Sequence, residues 1–145
     1  RHIRHEGFNN VIWIQEMVTK EEAIELYSHA TVFCCPSIYE PFGSINLEAM
    51  ACNTAVVGSM LGGIAEVVVH GETGLLIDAN ISPTMPHDPR DPRAFSTALA
   101  EGINRLIRDP ELCKKMGAAG RQRVLDNYSW RSIAETTLAL YKSLL

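Results

Sequence analysis

The chain has 145 residues, 46% of them hydrophobic and 21% charged, with a formal net charge of -4. That length suits one ordinary domain, that balance suits a packed globule, and the acidic excess argues against nucleic acid as the main partner. No apolar run reaches the roughly 18 residues of a membrane span, and no secretory signal pattern opens the chain.

Residues 1–10 read as an N-terminal flank. The start, Arg1-His2-Ile3-Arg4, has no initiator Met and reads as a trimmed or partial chain. His2 and His5 hint at a metal, but no second ligand cluster accompanies them, so no metal is expected. Val11-Ile12-Trp13-Ile14 is a β-type run. Thr19 and Glu22 stand at the spacing of a capping box, and Ile24, Leu26, Tyr27 and Ala30 carry the helix behind it. Residues 31–35 form a second apolar strand, stopped by Pro36. Cys34 and Cys35 are adjacent and face opposite sides of that strand, so they do not pair. With Cys52 and Cys113 they read as buried thiols of a reducing, cytoplasmic compartment.

Residues 44–52 read as helix and 55–58 as a third strand. Residues 64–69 read as a short helix, although the β-branched Val67-Val68-Val69 disfavours it. After a turn at 71–74, Leu75-Leu76-Ile77 is a fourth strand. Strands that are apolar on both sides and separated by helices describe an α/β fold: a Rossmann-like parallel sheet with helices on both faces. Pro83, Pro86, Pro89 and Pro92 mark 78–92 as an irregular loop. Three C-terminal helices follow. Asp91-Pro92 and Asp109-Pro110 each pair an N-cap with Pro at the first helical position. Ser129 can cap the last helix, whose apolar set Trp130, Ile133, Ala134, Thr137, Leu138, Tyr141 and Leu145 has the helical period. Trp130 and Tyr141 are expected in the core rather than on a binding surface. The whole chain, 1–145, reads as a single domain.

The chemistry concentrates in PSIYEPFGSINLEAMAC, residues 36–52. In a parallel α/β sheet, ligands sit beyond the carboxyl ends of the strands, where this loop leaves the second strand. Gly43 lets backbone approach a ligand closely or take positive φ. Ser44 and Ile45 then offer the unpaired amides of a helix N-terminus, which suit a phosphate or diphosphate. Glu40 before the turn and Glu48 inside the helix flank that anion site as acceptors for sugar hydroxyls. On physical grounds alone, two solvated glutamates explain the pattern equally well. Gly62-Gly63 reads either as a close approach of backbone or as a plain strand-to-helix turn. Glu66, Arg121 and Arg123 read as solvated helix-surface charges.

The stretch from Glu40 to Glu48 resembles the E-x7-E signature of retaining GT-B glycosyltransferases. The longer text PSIYEPFGSINLEAMACNTAVVGSMLGGIAEVVVHGETGLL resembles the C-terminal domain of glycosyltransferase family 4, and within it the actinobacterial-type glycogen synthases that use ADP-glucose. The likeness runs from about Asn10 to Leu145. It implies that Glu40 contacts the donor hexose and that the Phe42 and Gly43 amides lie near the same sugar. Ser44 and Ile45 then face the distal phosphate, and Glu48 takes the ribose hydroxyls. Ile14, Gln15 and Met17 border the base. It implies no cofactor, a nucleotide-sugar donor such as ADP-glucose or UDP-glucose, and an α-glucan or related glycan acceptor. Glu40 would position the sugar rather than attack it.

The sequence departs from the family pattern at Asn53, where Gly is usual, and at Ala55 and Ala65, where Pro is usual. Asn still suits a left-handed helix end. Nothing matches the family's G-R-x-x-x-x-K loop, and the domain that supplies the acceptor site and a catalytic His is not in this sequence. Of the family strand order 3-2-1-4-5-6, only 3, 4, 5 and 6 are expected. Strand 3 would then pair directly with strand 4, or an open edge would support a homodimer. The competing readings are a non-catalytic nucleotide-binding or assembly module, and a receiver-type flavodoxin-like domain. The latter needs an acidic cluster after the first strand and an aspartate after the third, and the sequence has neither.

Overall fold

The computed structural model describes residues 10–82 and 88–144. His2, His5, Pro83, Pro86 and Leu145 lie outside the described residues. Elements follow in the order α1 (Lys20–His29), β1 (Val32–Cys35), α2 (Ser44–Ala51), β2 (Ala55–Ser59), α3 (Gly62–Val67), β3 (Gly74–Ile77), α4 (Pro92–Arg108), α5 (Pro110–Asn127) and α6 (Trp130–Ser143).

The sheet is wholly parallel, in the order β1-β2-β3, with Cys34 opposite Val57 and Val57 opposite Leu75. Chain order equals spatial order, as the resemblance implies for strands 4, 5 and 6. Every residue of the central strand β2 is buried. Its side chains alternate between two cores, as a period of two requires. Ala55 and Val57 join Leu75, Phe95, Leu99, Leu106, Cys113 and Met116 on the face covered by α4 and the start of α5. Val56 joins Cys35, Ala49, Met50, Ile64, Val67, Val68 and Leu76 on the face covered by α2 and α3. Cys34 packs on the first core and Cys35 in the second, so the adjacent cysteines face opposite sides and remain free thiols.

The helix starts follow the capping residues. Thr19 and Glu22 form a complete capping box. Asp91 accepts from the Arg93 and Ala94 amides, Asp109 from Leu112, and Ser129 from Ser132. Asn53 takes the left-handed conformation at φ 62°. α3 begins at Gly62, two residues before the expected start, and ends at Val67, where the β-branched run takes an extended backbone. In the Pro-rich loop, Ile81 and Pro89 form an isolated antiparallel bridge, so its described ends are tied together rather than irregular.

Three expectations fail for one reason: periodicity reports which face is apolar, not what covers it. Val11–Ile14 is not a strand, and Ile12 is 90% exposed. A strand exists by its ladder, and this segment pairs with neither edge of the sheet. The direct pairing of strands 3 and 4 therefore does not form, and the outer edge of β1 is unpaired among the described residues. α6 has the expected period but buries no residue; Trp130 is 88% and Tyr141 61% exposed, so neither belongs to the core. Among the described residues, no helix is long and apolar enough to cross a membrane.

Candidate functional site

The candidate site is built where β1 and β2 end. From Cys35 the chain turns through Pro36 and reaches Glu40, which is half-buried. The Glu40 carbonyl accepts the Gly63 amide at 2.8 Å, and its carboxylate Oε1 accepts the Gly43 amide at 3.0 Å. Lower in the loop, the Ser37 carbonyl accepts the Ser59 hydroxyl from the end of β2. Glu40 is thus held at both backbone and side chain, by the two loops that leave adjacent strands.

Glycine makes this interlock possible. A Cβ on Gly62 would overlap the Glu40 carbonyl, and one on Gly63 would overlap the Phe42 backbone. The Gly62-Gly63 pair therefore admits the neighbouring loop, which answers the choice between turn and close approach in favour of backbone packing. Gly43 stands at φ +82° as the N-cap of α2, with no side chain capping it. Ser44 and Ile45 open the helix, so their amides have no partner within it. An anion is favoured there by the amides and by the helix dipole.

Asn46 is fully buried behind this turn. Its Nδ2 donates to the Gly43 carbonyl at 3.2 Å and toward Cys35 Sγ at 3.7 Å, while Oδ1 is buried without a partner. Glu48 lies one turn on, exposed, and its Oε2 accepts the Tyr27 hydroxyl at 3.2 Å. The Tyr27 phenol is pushed above the ordinary tyrosine range, first by burial and then by the Glu48 charge. Phe42 is half-exposed and meets Tyr128 edge-on at 6.3 Å.

Glu40, Phe42, Gly43, Ser44, Ile45 and Glu48 therefore share one loop and one helix, at the carboxyl end of the sheet. Ile14, Gln15 and Met17 lie on the segment before α1. Ile14 lines an open groove of about 580 Å³ with Val18, Glu22, Glu25, Leu26, His29 and Ala30. Ile14 and Gln15 share a recess of about 370 Å³ with Trp13 and Glu16. Neither cavity is lined by Glu40, Gly43 or Glu48, and Met17 is 99% exposed.

Sequence reasoning missed Tyr27, Asn46 and Thr54, which support the site from behind. It also misread the two arginines of α5. Arg123 Nε donates to the Val67 carbonyl at 2.8 Å and Nη2 to Glu66 at 2.9 Å, and its guanidinium lies 5.7 Å from the Tyr128 ring centre. Arg121 donates to the Ala51 carbonyl. Both satisfy orphan carbonyls at helix C-termini rather than forming a solvated face. The donors come from a helix far along the chain, so no local signal marked them.

Comparison with known proteins agrees with this architecture. Alpha-maltose-1-phosphate synthase of Mycolicibacterium smegmatis is 48% identical over 132 residues, covering 91% of this chain and 32% of that protein. A glycogen synthase of Mycobacterium tuberculosis is 32% identical over 120 residues, 83% of this chain and 26% of that protein. The structure of sucrose-phosphate synthase from Thermosynechococcus elongatus superposes with a TM-score of 0.78 at 34% identity, over 99% of this chain and 32% of that one. The chain thus spans about a quarter to a third of the length of these relatives, and its parallel sheet with flanking helices matches the GT-B architecture. The family described as glycosyl transferases group 1 matches residues 1–88, which include the Glu40–Glu48 loop and helix, and the chain belongs to that family.

Proposed function

We propose that Glu40, Gly43–Ile45 and Glu48 form part of the donor site of a retaining hexosyltransferase. The donor would be a nucleoside diphosphate sugar, such as ADP-glucose or UDP-glucose, and the acceptor an α-glucan or related glycan bound by the full-length enzyme. The observation that carries this reading is the uncapped N-terminus of α2 at the carboxyl edge of a parallel sheet, flanked by one carboxylate held on the loop and one on the helix. The diphosphate lies on the Ser44 and Ile45 amides. Glu48 takes the ribose hydroxyls and the free oxygen of Glu40 takes a hexose hydroxyl.

Glu40 fits a positioning role. Its Oε1 is engaged by the Gly43 amide, and a carboxylate stabilised by a backbone donor is a weaker nucleophile. Names among the relatives, a glycogen synthase and an alpha-maltose-1-phosphate synthase, fit a glucosyl donor. The free thiols of Cys34, Cys35, Cys52 and Cys113 fit a reducing, cytoplasmic setting.

The test is calorimetric titration with ADP, ADP-glucose and UDP-glucose. Glu48→Ala should weaken nucleotide and nucleotide sugar alike, by about tenfold, the worth of a hydrogen bond to a charged group. Glu40→Ala should weaken mainly the sugar-bearing donors. Equal losses on plain ADP from both substitutions would contradict these roles. This chain alone should transfer no glucose, since the donor site it carries is partial; glucose incorporated into an α-glucan from ADP-glucose would refute that.

The outer edge of β1, unpaired among the described residues, favours a second reading, a non-catalytic assembly element that pairs through this edge with another copy of the chain. It predicts a dimer by light scattering together with no nucleotide binding at millimolar concentration.

A further inference from the structure

Tyr27 sits on α1, outside the loop and helix that carry the proposed donor site, yet its hydroxyl reaches Glu48 Oε2 at 3.2 Å. The tyrosine is fixed by contacts that do not involve that hydroxyl. Its ring stands edge-on to Phe33, with centres 5.4 Å apart and planes at 84°. Its backbone carbonyl accepts the Thr54 hydroxyl at 2.6 Å, and its side chain packs against the core on the α2 and α3 face. Glu48 is the opposite case: exposed, with Tyr27 as the only polar partner of its carboxylate among the described residues.

An exposed glutamate has three side-chain torsions and presents its carboxylate in many orientations, each of which binding must give up. A rigid phenol that donates to one oxygen selects among those orientations in advance. The contact occupies one lone pair of Oε2 and leaves Oε1 open, so the carboxylate can still accept both hydroxyls of a vicinal diol. Ordering before binding raises affinity without adding a ligand contact.

We infer that Tyr27 is a positioning residue, which orients the Glu48 carboxylate toward the ribose diol of a nucleoside diphosphate. The inference rests on the reading of Glu48 as the ribose acceptor. Loss of the phenol hydroxyl then reaches the ligand only through the diol. Tyr27→Phe keeps the ring against Phe33 and the carbonyl on Thr54, so a purely structural role leaves diol recognition untouched.

The experiment is calorimetry on the chain and its Tyr27→Phe, Glu48→Gln and doubly substituted forms, with ADP and 2′,3′-dideoxy-ADP as probes. The unsubstituted chain should bind ADP about tenfold more tightly than the dideoxy analogue. Tyr27→Phe should weaken ADP about fivefold, the order of the ordering cost of one rotamer-rich side chain, and leave the analogue unchanged. In the Glu48→Gln background the same substitution should change neither. Equal losses on both probes, or a loss on neither, leave Glu48 in place and overturn the role of Tyr27. An unsubstituted chain that does not distinguish the two probes overturns the ribose role of Glu48, and the positioning role falls with it.

Discussion

Gly63 and Gly117 show how little room the backbone leaves where segments cross. A Cβ on Gly63 would overlap Phe42, and one on Gly117, in the middle of α5, would overlap the Asn53 carbonyl. Each glycine sits where two segments meet as bare backbone, so alanine forces them apart. Gly117→Ala should destabilise by about 1–3 kcal/mol, the range for overpacking, and lower the thermal midpoint by several degrees in calorimetry. Gly63→Ala should also release the Gly63 amide from the Glu40 carbonyl and weaken sugar-nucleotide binding. At the same scale, Tyr27 sets a pH dependence. Its folded value is raised above the ordinary 10.0, first by burial and then by Glu48. Its contribution to stability is therefore complete below that ordinary value and lost as pH rises through the raised one. Burial raises Cys34 and Cys113 with the same sign. The comparison that isolates the tyrosine is Tyr27→Phe, which should show a smaller loss of urea midpoint between neutral and alkaline pH.

The elements divide into those whose ends local chemistry specifies and those whose existence depends on a partner. The four expected caps, Thr19, Asp91, Asp109 and Ser129, all hold their helices as their side chains dictate. A cap and its amides lie within three residues, so composition and order suffice to read them. α1 buries no residue, which makes its capping box a large share of what holds it. Thr19→Ala should cost about 1 kcal/mol, and α1 should lose amide-exchange protection before the sheet does. Glu22 is lowered by the Thr19 amide and hydroxyl. Its support is present above the ordinary carboxylate value and fades as pH falls through the lowered one. Strands behave differently. β1, β2 and β3 form because each finds a ladder, while Val11–Ile14, equally apolar and β-branched in part, finds none.

For the molecule as a whole, the uncovered apolar surface matters most. Among the described residues, the edge of β1 is unpaired, and the run at Val11–Ile14 and the apolar stripe of α6 are exposed. Exposed strand edges and apolar patches of this kind promote association. The chain should associate with rising concentration in sedimentation equilibrium. Trp13 and Trp130 are both exposed, so association that covers either should shift tryptophan emission to the blue. A concentration-independent monomer with unchanged emission would show that these surfaces do not mediate self-association.

The quoted loop, its glycine turn, the helix start and the flanking glutamates were legible in the residues, because a strand end, a φ-positive glycine and a helix N-terminus are local events. The supporting shell was not. Tyr27 meets Glu48 across 21 residues, Arg123 meets Val67 across 56, and Asn46 is fully buried, its side-chain oxygen without a partner among the described residues. The sequence by itself determined the parallel α/β class, the caps and the strand-end, glycine-turn and helix-start order of residues 36–52, all set by short-range spacing and side-chain type. Tertiary structure alone decided which apolar faces are covered, which arginines cap distant helices and which hydroxyl holds Glu48. Those outcomes depend on which segments meet, and spacing along one chain does not specify that.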